Sequence, residues 1–264
     1  MIPAIRSELR KFFTTRMWWG MAIGMFIAGA AFAALFGFLL TSDVAAGPPG
    51  QEIQVDAVQL ANSVYVGGLG IGYLLTLTIG IMQIGSEYRH KTITSTFLST
   101  PNRLRAMLAK VVALLVIGAL YGLISLIGSV TVGAVVLNAR GADPFPGTEV
   151  LRTLALSLLV LGLWALIGLG IGILIPNQVA AILIGVGVAW IVEPLLGFAM
   201  NFWEWGREHV APYLPSAATN SVVNAAQSAG EIRLEWWGGA LVLAAYAIVL
   251  SGFGIWRTMR ADIA

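Results

Sequence analysis

Six long apolar runs constrain the fold of this chain more than any other feature. A helix needs about 20 mostly apolar residues to cross the hydrocarbon core of a bilayer, where the backbone must satisfy its own hydrogen bonds. The runs lie at roughly 17–40, 64–85, 106–137, 153–175, 178–200 and 237–256. The sequence therefore predicts an all-α membrane protein with six transmembrane helices, and a single transmembrane domain over residues 1–264.

The composition agrees with a membrane environment. Only 11% of the residues are charged, whereas a soluble domain carries about a quarter. The 31 glycines and 9 tryptophans are typical of closely packed membrane helices and of lipid–water boundaries. Since there is no cysteine, disulfides and thiolate metal sites are excluded.

The distribution of basic residues predicts the orientation. Cytoplasmic segments of membrane proteins carry an excess of Lys and Arg. One side of the predicted bundle holds most of the 15 basic residues, namely Arg6, Arg10, Lys11, Arg16, Arg89, Lys91, Arg103, Arg105, Lys110, Arg257 and Arg260. The other side holds Arg140, Arg152, Arg207 and Arg233 together with most of the acidic residues. We therefore expect both termini and the 86–105 loop to be cytoplasmic.

Two segments outside the spans are predicted to be helical. Within residues 1–16, an apolar stripe at helical spacing consists of Ile2, Ile5, Leu9 and Phe12. This favours an amphipathic helix in the inner membrane interface; the alternative is a basic flank that merely happens to be helical. The 201–236 segment mixes tryptophans with charges, which predicts short extracellular helices, re-entrant or interfacial, before the last span.

The sequence contains no motif typical of a catalytic, metal-binding or phosphate-binding site. None of the three lysines follows a glycine, so the chain has no phosphate-binding loop of the Walker type. His90 and His209 fall on opposite sides of the predicted membrane, and no nucleophile lies beside a base. We therefore expect no catalytic residue, no metal site and no cofactor bound by this chain.

The 86–105 loop carries the most informative motif. Its residues and those that follow include Glu87, Lys91-Thr92, Leu98, Pro101, Arg103 and Lys110. With this pattern the chain resembles the permeases of the ABC-2 type export family, although that family often has Gly where Lys91 stands. The likeness extends to the N-terminal interfacial helix, the six spans and the tight hairpin at Pro176-Asn177-Gln178.

The resemblance implies a cytoplasmic coupling helix over roughly residues 86–98. This helix would dock in a cleft of a separate ABC ATP-binding subunit, which would hold the ATP and Mg²⁺. The implied coupling residues are Ser86, Glu87, Tyr88, Arg89, His90, Lys91 and Thr92. Glu87, Arg89 and Lys91 would make polar contacts, and Tyr88 would be a packing anchor. The alternative is an ordinary positive-inside loop.

Glu193-Pro194 lies inside the fifth apolar run. A carboxylate is costly in a membrane and should face protein or water, and a proline should break or kink the helix. One interpretation is a gating or pathway site near the outer mouth. The other is a structural carboxylate paired with Arg207 or Arg233.

The resulting functional expectation is a transport subunit and not an enzyme. The chain is expected to be an ABC-2 permease in a bacterial cytoplasmic membrane, forming the export pathway for a hydrophobic or amphipathic drug, peptide or lipid. Its expected partners are the ATP-binding subunit, a second permease copy or homologue, and membrane lipid, but no nucleic acid. The alternatives are a stand-alone secondary transporter or channel, and a scaffold or sensor. The substrate and the choice of homodimer or heterodimer stay open.

Overall fold

The computed structural model describes residues 1–42, 56–92, 103–223 and 234–260. Within these ranges every regular element is a helix. Six helical stretches are long and apolar enough to cross a membrane: Met17–Leu40, Ala57–Arg89, Leu104–Ala139, Thr148–Leu174, Gln178–Met200 and Trp236–Thr258. The prediction of an all-α, multi-pass membrane protein is confirmed.

The helices are numbered in chain order. The first six are α1 (Ile2–Phe13), α2 (Met17–Leu40), α3 (Ala57–Val66), α4 (Leu69–Arg89), α5 (Arg103–Ala139) and α6 (Thr148–Leu174). They are followed by α7 (Gln178–Gly187), a π-helical turn (Val188–Val192), α8 (Glu193–Met200) and α9 (Glu204–His209). A 3-10 turn (Ala211–Tyr213), α10 (Pro215–Val222) and α11 (Trp236–Arg260) complete the described chain.

Helix α6 is at the centre of the bundle. It packs against α4, α5 and α11, and 67% of its most apolar stretch is buried, against 22% for α2 and 22% for the Gln178–Met200 span. The close contact between α4 and α6 depends on glycine: a Cβ at Gly80 would collide with the Ala165 carbonyl oxygen, and one at Gly168 with that of Leu77. The absence of a side chain lets the two backbones approach.

The bundle has two distinct ends. At the first, which we call the α1 end, Arg257 Nη1 donates a 3.1 Å hydrogen bond to the Leu174 carbonyl oxygen. At the second, the α10 end, Tyr65 Oη donates to the Pro144 carbonyl oxygen at 2.8 Å. Arg152 lies 4.6 Å from the ring centre of Trp236 at this same end. Successive spans therefore run in alternating directions.

The second span is longer than the run predicted at 64–85. Helix α3 begins at Ala57, and the chain turns at Gly67-Gly68 before α4 continues to Arg89. The polar residues Asn62 and Ser63 lower the hydropathy of α3, yet both are buried. Because bundle contacts cover these groups, local apolarity understates the length of the helix.

Pro194 does not break the fifth span. The Glu193 N–H donates to the carbonyl oxygen of Val188, five residues earlier, in the π-helical turn that precedes α8. Proline has no N–H and crowds the preceding turn, and a π-turn is one way for a helix to absorb such a change. The helix therefore continues past the proline to Met200.

The segment before the last span forms short helices, α9 and α10, joined by the 3-10 turn. Helix α10 packs against α11 and α6, so it is attached to the bundle. Residues 224–233 of the predicted 201–236 segment lie outside the described residues, and Trp236 is the first residue of α11.

Candidate functional site

Residues 86–92 lie where the second span ends. Ser86 to Arg89 form the last turn of α4, and His90 to Thr92 leave it in a turn in which Lys91 has φ 53°. The first residues of the predicted coupling helix therefore extend the membrane span. Residues 93–98 of that predicted helix lie outside the described residues.

Four charged side chains meet at the α1 end and form what we call the ion cluster: Glu8, Lys11, Glu87 and Lys110. Lys110 Nζ lies 2.7 Å from Glu8 Oε2 and 2.6 Å from Glu87 Oε1. Lys11 Nζ lies 2.7 Å from Glu8 Oε1 and 2.9 Å from the same Glu87 oxygen. The cluster thus connects α1 to the end of α4 and the start of α5.

The ion cluster is buried and its formal charges balance. Glu8, Glu87 and Lys110 are 4%, 5% and 1% exposed, while the Lys11 side chain is 41% exposed. Charged groups removed from water are tolerated when each has close partners of opposite charge. Every cluster member has two such partners, so none can be removed without leaving buried charge.

The electrostatics of the cluster stabilise the charged forms on α1. Burial by itself would raise the pKa of the Glu8 carboxyl, but Lys110 and Lys11 hold that pKa below its ordinary value of 4.5. Burial would likewise lower the pKa of the Lys11 ammonium, but hydrogen bonds to Glu8 and Glu87 raise it above 10.5. Both groups are therefore ionised at neutral pH.

A cavity of about 590 Å³ opens beside the ion cluster. Its described lining comes from α1, the start of α2, the end of α4 with its following turn, and the start of α7: Lys11, Phe12, Thr14, Thr15, Met17, Met82, Gln83, Ser86, Glu87, Arg89, His90, Thr92 and Gln178. Among the described residues, Glu87 Oε2 is buried and has no hydrogen-bond partner.

The structure brings together some of the predicted residues and adds one. Glu87 and Lys110, both in the motif, are in direct contact. Tyr88 packs against the core, whereas Arg89, His90 and Lys91 are exposed. Sequence reasoning missed Glu8. Its signal was a lone carboxylate three residues after Ile5 and four before Phe12, on the apolar face of α1.

Glu193 is buried near the α10 end, with 5% exposure. Its Oε1 accepts a short hydrogen bond from the backbone N–H of Ser216, in the first turn of α10. No ion pair joins it to Arg207 within the described ranges, and Arg233 lies outside them. A carboxylate at a helix N-terminus satisfies an unpaired donor and is favoured by the helix dipole. Within the described residues, Glu193 is therefore bonded to α10 and not to Arg207, a partner that the structural interpretation expected.

A second cavity, of about 320 Å³, lies near α10. We call it the α10 cavity; its described lining is Phe36, Ser63, Val66, Gly67, Leu69, Gly70, Tyr73, Ser216, Thr219, Asn220 and Val223. The ring of the lining residue Tyr73 stacks on that of Trp164, with 4.3 Å between the ring centroids. Trp164 Nε1 donates to Thr219 Oγ1 at 2.9 Å, which fixes α10 to α6.

Neither a protein-family model nor a curated protein sequence matches this chain.

Proposed function

We propose that this chain is the permease subunit of an ATP-driven ABC-2 type exporter, with the α1 end in the cytoplasm of a bacterial cell. The observation that supports this most is the ion cluster. It ties the interfacial helix α1 to the two spans that flank the 86–105 segment, and it does so through buried charges. A force applied to that segment would move α1, α4 and α5 as one body.

Residues 86–92 are the proposed contact for a separate ATP-binding subunit. Arg89 and His90 are exposed at the 590 Å³ cavity, and Glu87 lines the same cavity. A partner side chain that enters this cavity would lie next to the ion cluster. Nucleotide-driven movement of the partner would then reach the spans through the ion cluster.

The export pathway is proposed to form between two permease subunits. Helix α2 and the Gln178–Met200 span have the most exposed apolar surface, with 22% of their apolar stretches buried in each case. A second copy or a homologue would cover part of this surface, and lipid the remainder. The substrate class that suits such a pathway is hydrophobic or amphipathic.

The test is site-specific cross-linking in cells. A photoreactive amino acid replaces His90, and the cross-linked partner is purified and identified by mass spectrometry. We expect the cross-linked partner to be an ABC ATP-binding subunit. Arg89→Glu should lower the yield of this cross-link at least about tenfold, which corresponds to about 1.4 kcal/mol of binding free energy. Arg140→Glu, at the opposite end and in contact with Phe38, is the matched control and should not change the yield.

Two outcomes would contradict the proposal. One is that no ATP-binding subunit is cross-linked although the protein is folded and in the membrane. The other is that purified protein in vesicles transports substrate down an imposed proton or sodium gradient with no ATPase present. The second result would establish the secondary transporter instead.

A further inference from the structure

The α10 cavity combines hydrogen-bonding groups with apolar side chains in its lining. We infer that it is a binding site for an uncharged amphipathic molecule whose polar end carries hydroxyl or amide groups. This goes beyond the proposed function, because binding here requires no ATP-binding subunit. Its volume of about 320 Å³ falls within the range of small-molecule sites, about 300–1,000 Å³.

The polar residues that line the cavity offer both donors and acceptors. Thr219 Oγ1 accepts its hydrogen bond from Trp164 Nε1, so its own hydroxyl hydrogen is available to a ligand acceptor. Ser63 Oγ donates to the Gln59 carbonyl oxygen at 2.8 Å, so its lone pairs can accept. Asn220 is exposed on α10 and can do both. A hydroxyl or amide head group matches this mixture.

Other lining residues are apolar, among them Phe36, Leu69 and Val223. A Cβ built at Gly70 would meet no atom within 4 Å, whereas one built at Gly67 would come to 2.5 Å from the Phe36 ring. Gly70 therefore borders free space, which suits the start of an alkyl chain.

The charge environment selects a neutral ligand. No described lining residue of the α10 cavity carries a charged side chain. A charged head group, whether anionic or cationic, would lose hydration without gaining an ion pair from these residues, which is costly away from water.

The experiment uses the full chain in lipid nanodiscs and a monoacylglycerol with a diazirine in its acyl chain. Gly70→Leu should fill the cavity and reduce photolabelling of peptides from α3, α4 and α10 at least about tenfold, equivalent to 1.4 kcal/mol. Gly187→Leu is the matched control. Its Cβ also meets no atom within 4 Å, and it does not line the cavity, so labelling should be unchanged.

Two charged probes with the same acyl chain test the head-group selection. A lysophosphatidate and an alkyltrimethylammonium should label these peptides at least about tenfold less than the monoacylglycerol does. Asn220→Ala removes an exposed polar side chain and should reduce the difference in labelling between the monoacylglycerol and the charged probes. Equal labelling by all three probes would overturn the assignment of a neutral ligand.

Unchanged labelling of Gly70→Leu would overturn the site itself. Gel filtration shows whether Gly70→Leu folds. If it does not fold, Asn220→Ala decides whether the site exists. An unchanged preference of that variant for the neutral probe would exclude the polar lining residues as the recognition surface. Cross-linking of the ATP-binding subunit from position 90 is measured in parallel. If this cross-link does not form, the export proposal is contradicted, whereas the photolabelling result still stands.

Discussion

At the scale of single residues, Lys110 shows how a buried charge depends on partners from distant segments. It is 1% exposed and joins two carboxylates from different helices. The sequence pattern placed it at the start of a span, where a lysine normally extends its ammonium group to the membrane surface. Its actual role depends on Glu8, which lies 102 residues away along the chain.

Replacing Lys110 with methionine should destabilise the protein by about 3–5 kcal/mol, because two buried carboxylates would then share one cation. Denaturant unfolding in detergent measures this. Lys91→Met, at an exposed position, is the control and should change stability by less than about 0.5 kcal/mol. The double variant Glu8→Gln with Lys110→Met should recover part of the loss. A wild-type stability for Lys110→Met would contradict the cluster.

The attachment of α1 should depend on pH at two limits. The pKa of Glu8 is lowered from 4.5, so its contribution is present above pH 4.5 and is lost as the pH falls through the lowered pKa. The pKa of Lys11 is raised from 10.5, so its contribution is present below pH 10.5 and is lost as the pH rises through the raised pKa. Thermal unfolding of the wild type and of Glu8→Gln across pH measures the first limit. The two should converge only below pH 4.5, and convergence near pH 7 would refute this assignment.

At the scale of elements, two kinds of contact fix the helices to one another. Backbone contacts at glycine hold α4 against α6, and a distant carboxylate completes the first turn of α10. Neither is visible in a hydropathy profile, because a profile records how apolar a helix is and not which neighbour it meets.

The α4–α6 contact predicts opposite effects for two glycine substitutions. Gly168→Ala should destabilise the protein by about 1–3 kcal/mol, because the new methyl group meets the Leu77 carbonyl oxygen in a packed interface. Gly20→Ala, in α2 with no atom within 4 Å, should stabilise it by about 0.5–1 kcal/mol through helix propensity. Denaturation midpoints compare the two, and equal effects would contradict the packing.

The bond from Glu193 to α10 predicts a graded series. Glu193→Leu removes the acceptor for the Ser216 N–H and should cost about 1–2 kcal/mol. Glu193→Gln keeps an acceptor oxygen and should cost less. Hydrogen exchange at the Ser216 amide should accelerate in the leucine variant. If instead Glu193→Gln abolishes transport at unchanged stability, the carboxylate has a pathway role.

At the scale of the whole molecule, the two cavities lie at opposite ends of the bundle. The one beside the ion cluster is polar and adjoins 86–92, whereas the α10 cavity has no charged side chain among its described lining residues. Under the proposals above, the driving partner would bind at the α1 end and the amphipathic ligand would bind near the α10 end. The proposed subunit and the inferred ligand site are tested by separate experiments.

The sequence by itself determined the fold class. Membrane solvation requires long apolar helices, and that requirement is local, so runs such as 17–40 can be read directly. The amphipathic spacing of Ile5, Leu9 and Phe12 predicted α1 for the same reason. Glu87 and Lys110 were also recognisable, although only as parts of a motif and not as partners.

Only the tertiary structure decided how these parts meet. Glu8 entered the cluster because α1 docks with its carboxylate toward Glu87 and Lys110, and Asn62 is covered because α3 packs inside the bundle. Pro194 interrupts the apolar sequence pattern, but the helix continues because the preceding π-helical turn accommodates the proline. Local hydrophobicity sets which segments enter the membrane, whereas ion pairs, caps and cavities arise from residues far apart in sequence, whose distances depend on packing.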